Sequence, residues 1–110
     1  MAFVSFSQIV CDGTYIVTEP NESLKIRDCH VCIDDQYAEI FLFDKEVIVP
    51  VTKKEHVNLN NFCGNVYYVD DEYMSYIFYG ESEKSFLCMV SLISVGDRWT
   101  FVRTEQKDDE

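Results

Sequence analysis

At 110 residues and 47% apolar, with a net charge of −11 from 20 acidic and 9 basic side chains, the chain has material for one packed domain and a surface that repels phosphate. That balance excludes a disordered chain and unassisted tight binding to nucleic acid; the charge serves solubility first and attraction to a basic partner second. Seven Tyr and eight Phe fit β structure better than helix.

Residues 1–11 alternate only partly and read as a strand or a short helix. Asp12-Gly13 is a turn signal, Thr14–Glu19 a compact strand, and Pro20-Asn21 its end. From Leu24 to Val51 the period-2 pattern predicts three strands joined by tight turns. Leu24 and Ile26 are expected to point inward, with Lys25 and Arg27 outward. The inward phase then slips to Cys29, Val31 and Ile33, which predicts a β-bulge near Asp28. Asp34-Asp35-Gln36 is a hairpin turn. Ala38, Ile40 and Leu42 then share one face, and Tyr37, Glu39, Phe41 and Phe43 share the other. Asp44-Lys45 turns the chain. Val47, Val49 and Val51 point inward with Glu46 and Ile48 outward, and Pro50 stands at the strand end.

Thr52 and Glu55 have capping-box spacing, so residues 52–61 read as one or two helical turns or as an irregular loop. Asn65–Val69 and Tyr73–Tyr79 are strands around an Asp70-Asp71-Glu72 turn, and Gly80–Lys84 is polar loop. The run Phe86–Val95 suits a buried strand or a helix. Gly96-Asp97 favours the strand, as a hairpin to Trp99–Val102. Residues 1–105 form one domain, and 106–110 are a polar tail.

In its order of elements the chain resembles the small OB-fold subunits of trimeric single-strand-binding complexes. The likeness is to the smallest subunit of the CST telomere-capping complex, and more loosely to the smallest subunit of replication protein A. It is carried from Gly13 to Val69, by GTYIVTE, LKIRDCHVCIDD, YAEIFLFD, EVIVPVT and GNVYYV. The resemblance implies an all-β, five-stranded OB-like Greek-key barrel with additional C-terminal strands or a helix. It also implies a non-enzymatic subunit that docks on a larger OB-fold partner at single-stranded DNA. Such subunits offer a C-terminal helix to the partner, whereas the run after Gly80 here reads as strands.

The candidate partner-binding residues are Tyr37, Phe41 and Phe43, an aromatic face that fills a partner's pocket or packs under its own chain, together with Trp99. Glu39 among them argues for a protein rather than a phosphate backbone. Lys25, Arg27, Lys53 and Lys54 are the weak candidates for nucleic-acid contact, set against an ordinary solvated role. Cys29-His30-Val31-Cys32 resembles a metal half-site. No second such pair exists, and on a strand its two thiols point to opposite faces, so no metal and no cofactor are expected. No catalytic motif appears; a Cys–His pair is the one enzymatic alternative.

The five cysteines, an odd number, follow a start without a basic leader region, which predicts free buried thiols in cytosol or nucleus. No apolar run approaches the roughly 18 residues of a membrane span. The expected function is a binding subunit for a larger protein, with nucleic acid contacted indirectly or weakly. The alternative is a stand-alone acidic inhibitor, such as a counter-defence or immunity protein, that occupies a basic groove.

Overall fold

The computed structural model describes residues 8–21, 23–42, 45–69, 75–94 and 96–107. Among them the chain is all-β, with no helix. Ten strands follow in order: β1 (Ile9–Val10), β2 (Gly13–Thr18), β3 (Leu24–Ile33), β4 (Tyr37–Leu42), β5 (Lys45–Pro50), β6 (Lys53–Leu59), β7 (Phe62–Tyr68), β8 (Tyr76–Glu81), β9 (Ser85–Ser94) and β10 (Asp97–Gln106). All pairings are antiparallel, and the sheet curls into a half-barrel.

The neighbour order is β5-β4-β3-β2-β10-β9-β8-β7-β6, with β1 added to β3. These are two meanders, β2–β5 and β6–β10, joined side by side through β2 and β10. Within each meander, strands that follow one another in sequence pair directly. A Greek key needs one long return connection. This chain spends only Val51 and Thr52 on passing from β5 to β6. The order therefore departs from the five-stranded arrangement that the resemblance implied. The two open ends of the sheet, β5 and β6, meet at that corner. There the Val51 N–H donates to Gln36 O on one side at 2.8 Å, and the Thr52 N–H donates to Tyr68 O on the other at 2.8 Å.

Directly opposed residues share a face, so the register defines an inner surface. It carries Tyr15 and Val17 (β2), Val31 and Ile33 (β3), Ala38 and Ile40 (β4), Ile77 (β8), Val90 (β9) and Phe101 (β10), all nearly fully buried. Tyr15 keeps its hydroxyl satisfied by donating to Cys11 O at 2.5 Å. Val47, Val49 and Val51 are half-buried and inward as expected, with Glu46, Ile48 and Pro50 exposed on the other side.

Several local expectations are corrected. The β2–β3 ladder runs in one unbroken register from Gly13↔Cys29 to Thr18↔Leu24, and β3–β4 continues from Cys29↔Leu42 to Ile33↔Ala38. No bulge interrupts it. Cys29, Val31 and Ile33 fix the parity of the whole strand. Leu24 and Ile26 are thereby forced outward, where they stay 68% and 67% exposed.

Residues 52–61 form no helical turn. Strand β6 leads through Asn60-Asn61 into β7, a two-residue hairpin in which Asn60 takes φ 56°. Asn tolerates that left-handed conformation, and the turn sets the β6–β7 register. Gly96, at φ 81°, turns β9 into β10. Within the run predicted from Phe86, the described residues to Ser94 are thus strand, and no C-terminal helix occurs among the described residues. Gln106 ends β10, and the Lys107 N–H donates to Lys84 O at 2.7 Å. Residues 1–7, Phe43, Asp44 and the Asp70-Asp71-Glu72 cluster lie outside the described residues.

Candidate protein-docking face

The outer surface of the first meander is built by the same register that builds the core. Val10↔Cys32, Cys32↔Glu39 and Glu39↔Ile48 form one cross-strand row over β1, β3, β4 and β5. The flanking pairs Tyr37↔Pro50 and Phe41↔Glu46 lie on either side of it. Val10, Tyr37, Phe41 and Ile48 are all exposed; Tyr37, Phe41 and Ile48 are neighbours of the half-buried Glu39 on this face, and Val10 stands one strand farther, beyond Cys32. The result is a carboxylate set in an apolar collar. A lysine or arginine flanked by apolar groups fits such a feature better than a phosphate does.

Asp34 organises the hairpin that presents this collar. Its Oδ1 accepts from the Gln36 and Tyr37 N–H groups, each at 2.7 Å, an Asx turn.

A second apolar patch lies farther along the same face, where Ile16 opposes Ile26 and Thr18 opposes Leu24. Val102 of β10, half-buried, extends it beside Ile16. A polar strip of Asp28, His30 and Asp12 separates the two patches. Thr14 Oγ1 donates to Asp28 at 3.0 Å, and His30 Nδ1 sits against Asp12.

Tyr37 and Phe41 therefore stand where the alternation placed them, and Phe43 lies outside the described residues. Trp99 is half-buried and packs against the core. The sequence reading missed Val10, Ile16, Leu24 and Ile26 as exposed groups, while Ile48 stands outward, where its alternation with Val47 and Val49 placed it. The signal lay in the β2–β3 hairpin: with Tyr15 and Val17 already inward, Ile16 and its cross-strand partners had to face out.

The basic candidates do not form one surface. Lys25 and Arg27 are on β3, Lys53 and Lys54 on the β6 edge, and carboxylates partner the lysines. Lys25 Nζ lies 2.9 Å from Glu19, Lys54 Nζ 3.1 Å from Asp35 and Lys53 Nζ 3.5 Å from Glu55. Lys25 and Ser23 hold the Glu19 carboxyl below its ordinary range, and Asp35 raises Lys54. Lys54 also sits over the Tyr67 ring, 5.5 Å from its centroid. Phosphate would have to displace these partners.

The cysteines are free, and Cys11, Cys29, Cys32 and Cys88 are buried. Cys29 and Cys32 fall on opposite strand faces. Among the described residues no three His, Cys, Asp or Glu side chains gather as a metal-ligand set. Cys63 is exposed, its Sγ 3.4 Å from His56 Nε2 across the β6–β7 hairpin.

Burial, with the Asp28 charge, pushes the Cys29 thiol from 9.0 up to about 11, and burial raises Cys32. As pH rises past 9 the unfolded chain loses these protons first while the folded chain holds them. The folded state then binds more protons, so its stability declines with pH. Urea midpoints are expected to be level between pH 7 and about 8.5 and to fall above about 9, and Cys29→Val should flatten part of that fall.

Comparison of the chain with known protein families, with curated proteins and with solved structures finds no match in any of the three.

Proposed function

We propose that this chain is a non-enzymatic binding subunit that docks on a larger protein through the outer face of its first meander. The observation that carries the reading is the exposed apolar collar of Tyr37, Phe41 and Ile48 around Glu39, with Val10 one strand farther, on an otherwise strongly acidic chain. Contiguous exposed apolar groups with a polar rim are characteristic of protein interaction sites. Strong negative charge turns such a site toward basic partners and away from phosphate.

Membership of a telomere or single-stranded-DNA-binding complex, in the manner of small OB-fold subunits, is part of the same proposal. There the partner would contact the DNA, and this subunit would stabilise the partner, within cytosol or nucleus. The OB-like relation concerns that mode of use and the curled antiparallel sheet.

The test starts with affinity purification from the native source and mass-spectrometric identification of the partner. Affinity is then measured for Tyr37→Ser/Phe41→Ser. Central aromatic contacts of an interface are each worth about 2 kcal/mol, so the double variant should bind at least roughly tenfold more weakly with its fold intact. Undiminished binding would remove the collar from the interface. On the DNA side, the isolated chain should not retain a labelled single strand, even at low salt. Tight, salt-insensitive retention would contradict the charge argument.

A second reading, favoured by the net charge of −11, is a stand-alone acidic inhibitor seated in the basic groove of an enzyme. The identified partner separates the two: a DNA-binding subunit for the first, a nuclease or other basic enzyme for the second.

A further inference from the structure

Strand β5 ends the sheet, and its hydrogen-bonding directions follow from one observed bond. The Val51 N–H donates to Gln36 O of the β3–β4 turn, in the register that pairs Val49 with Ala38 and Val47 with Ile40. Backbone groups alternate sides along a strand. The N–H and C=O of Val47 and Val49 therefore belong to β4, while those of Glu46 and Ile48 point away from it. Pro50 falls in the same outward set. It offers a C=O there, and its missing N–H costs the β4 ladder nothing, which is the one place in a sheet where proline fits well. Among the described residues no strand pairs with this edge.

We propose that the β5 edge takes up an extended segment of a partner protein as an added antiparallel strand, and that this segment alternates β-branched apolar residues with lysine or arginine. The apolar set of such a strand would lie alongside the half-buried Val47 and Val49 on the inner side. The basic set would emerge on the outer side beside Glu46 and, one strand farther in, Glu39. Main-chain bonds to Glu46, Ile48 and Pro50 supply affinity, and the carboxylates supply selectivity.

A second copy of this chain is the poorer occupant. It carries the same net charge of −11. An antiparallel β5–β5 pair centred on Ile48 would also set Glu46 against a proline with no N–H to give.

This inference rests on the docking proposal and specifies its chemistry. The probe is an acetylated, amidated peptide of alternating valine and lysine, added to the whole protein and followed by amide hydrogen exchange. In the free protein the Val47 and Val49 amides should be protected and those of Glu46 and Ile48 should exchange freely. With the peptide bound, Glu46 and Ile48 should slow by on the order of tenfold. The same peptide with N-methyl groups on its edge-facing amides should not protect them, nor should a valine–glutamate peptide. Ile48→Pro, which deletes an N–H that β4 does not use, should abolish the effect, whereas Ile48→Ala, which removes the same collar side chain but keeps that N–H, should leave it.

Protection of Glu46 and Ile48 before any peptide is added would overturn the proposal, as would equal protection by the N-methylated peptide. If partner capture depends on Tyr37 and Phe41 but survives Ile48→Pro, strand addition fails while the docking face stands.

Discussion

Phe101→Ala is expected to destabilise the protein by about 4 kcal/mol, a large part of the roughly 5–15 kcal/mol that holds such a domain together. Phe101 is 2% exposed and stands opposite Val17 on β2 and Val90 on β9. The β2–β10 junction pairs only Ile16–Thr18 with Thr100–Val102. Beyond those pairs the Arg103 guanidinium lies over Gly13, where a Cβ would collide with it. Packing of Phe101 on Val17 therefore carries much of the union between the two meanders. Urea denaturation measures the loss. Val102→Ala, on the half-buried outer side of the same junction, should cost about 1 kcal/mol. If the two variants lose equally little, the junction is not where the halves are joined.

Gly64→Ala should cost about 3 kcal/mol and lower the melting temperature by roughly 15 °C. A Cβ at Gly64 would overlap the Tyr79 carbonyl oxygen and the Cα of Gly80 on the neighbouring strand. Both obstacles are backbone, so no side chain can swing aside; β7 and β8 would have to separate. Gly96→Ala provides the contrast. Its Cβ meets nothing within 4 Å, and only its φ of 81° opposes substitution. That penalty should be about 1 kcal/mol. Thermal melts of the two variants separate close backbone approach from backbone strain.

Much of the first meander is legible in the sequence, because alternation and turn chemistry agree there. Asp34 begins a turn and ends up capping it, and Val47, Val49 and Val51 point inward with Pro50 at a position that uses no N–H. The all-β class and strand β9 follow in the same way, the latter from Gly96.

Two features resist reading for opposite reasons. Thr52 and Glu55 imitate a helix start, yet the chain follows Asn60-Asn61, because a hairpin that pairs β6 with β7 satisfies every second backbone group at once. Leu24 and Ile26 imitate a core face, since alternation reports that two faces differ without saying which is wet. The parity of β3 is set farther along, at Val31 and Ile33, and the apolar pair is left outside. The apolar collar is hidden from sequence for a related reason: Val10, Cys32, Glu39 and Ile48 fall into one row only through the register of four strands.

The corner at Val51–Thr52 makes the order of assembly unequal. Each meander zips from hairpin to hairpin with short loops, and the corner holds one end of each close to the other from the start. The shared core still stays open until residues 16–18 find residues 100–102 at the far ends of the chain. That closure concentrates the entropy of the longest loop in a single step and gives little back until Phe101 reaches Val17. The folding barrier therefore belongs to the junction rather than to the turns. Changes at Phe101 and Val17 should slow folding, while changes at Asn60 or Gly96 set how firmly hairpins already built hold together.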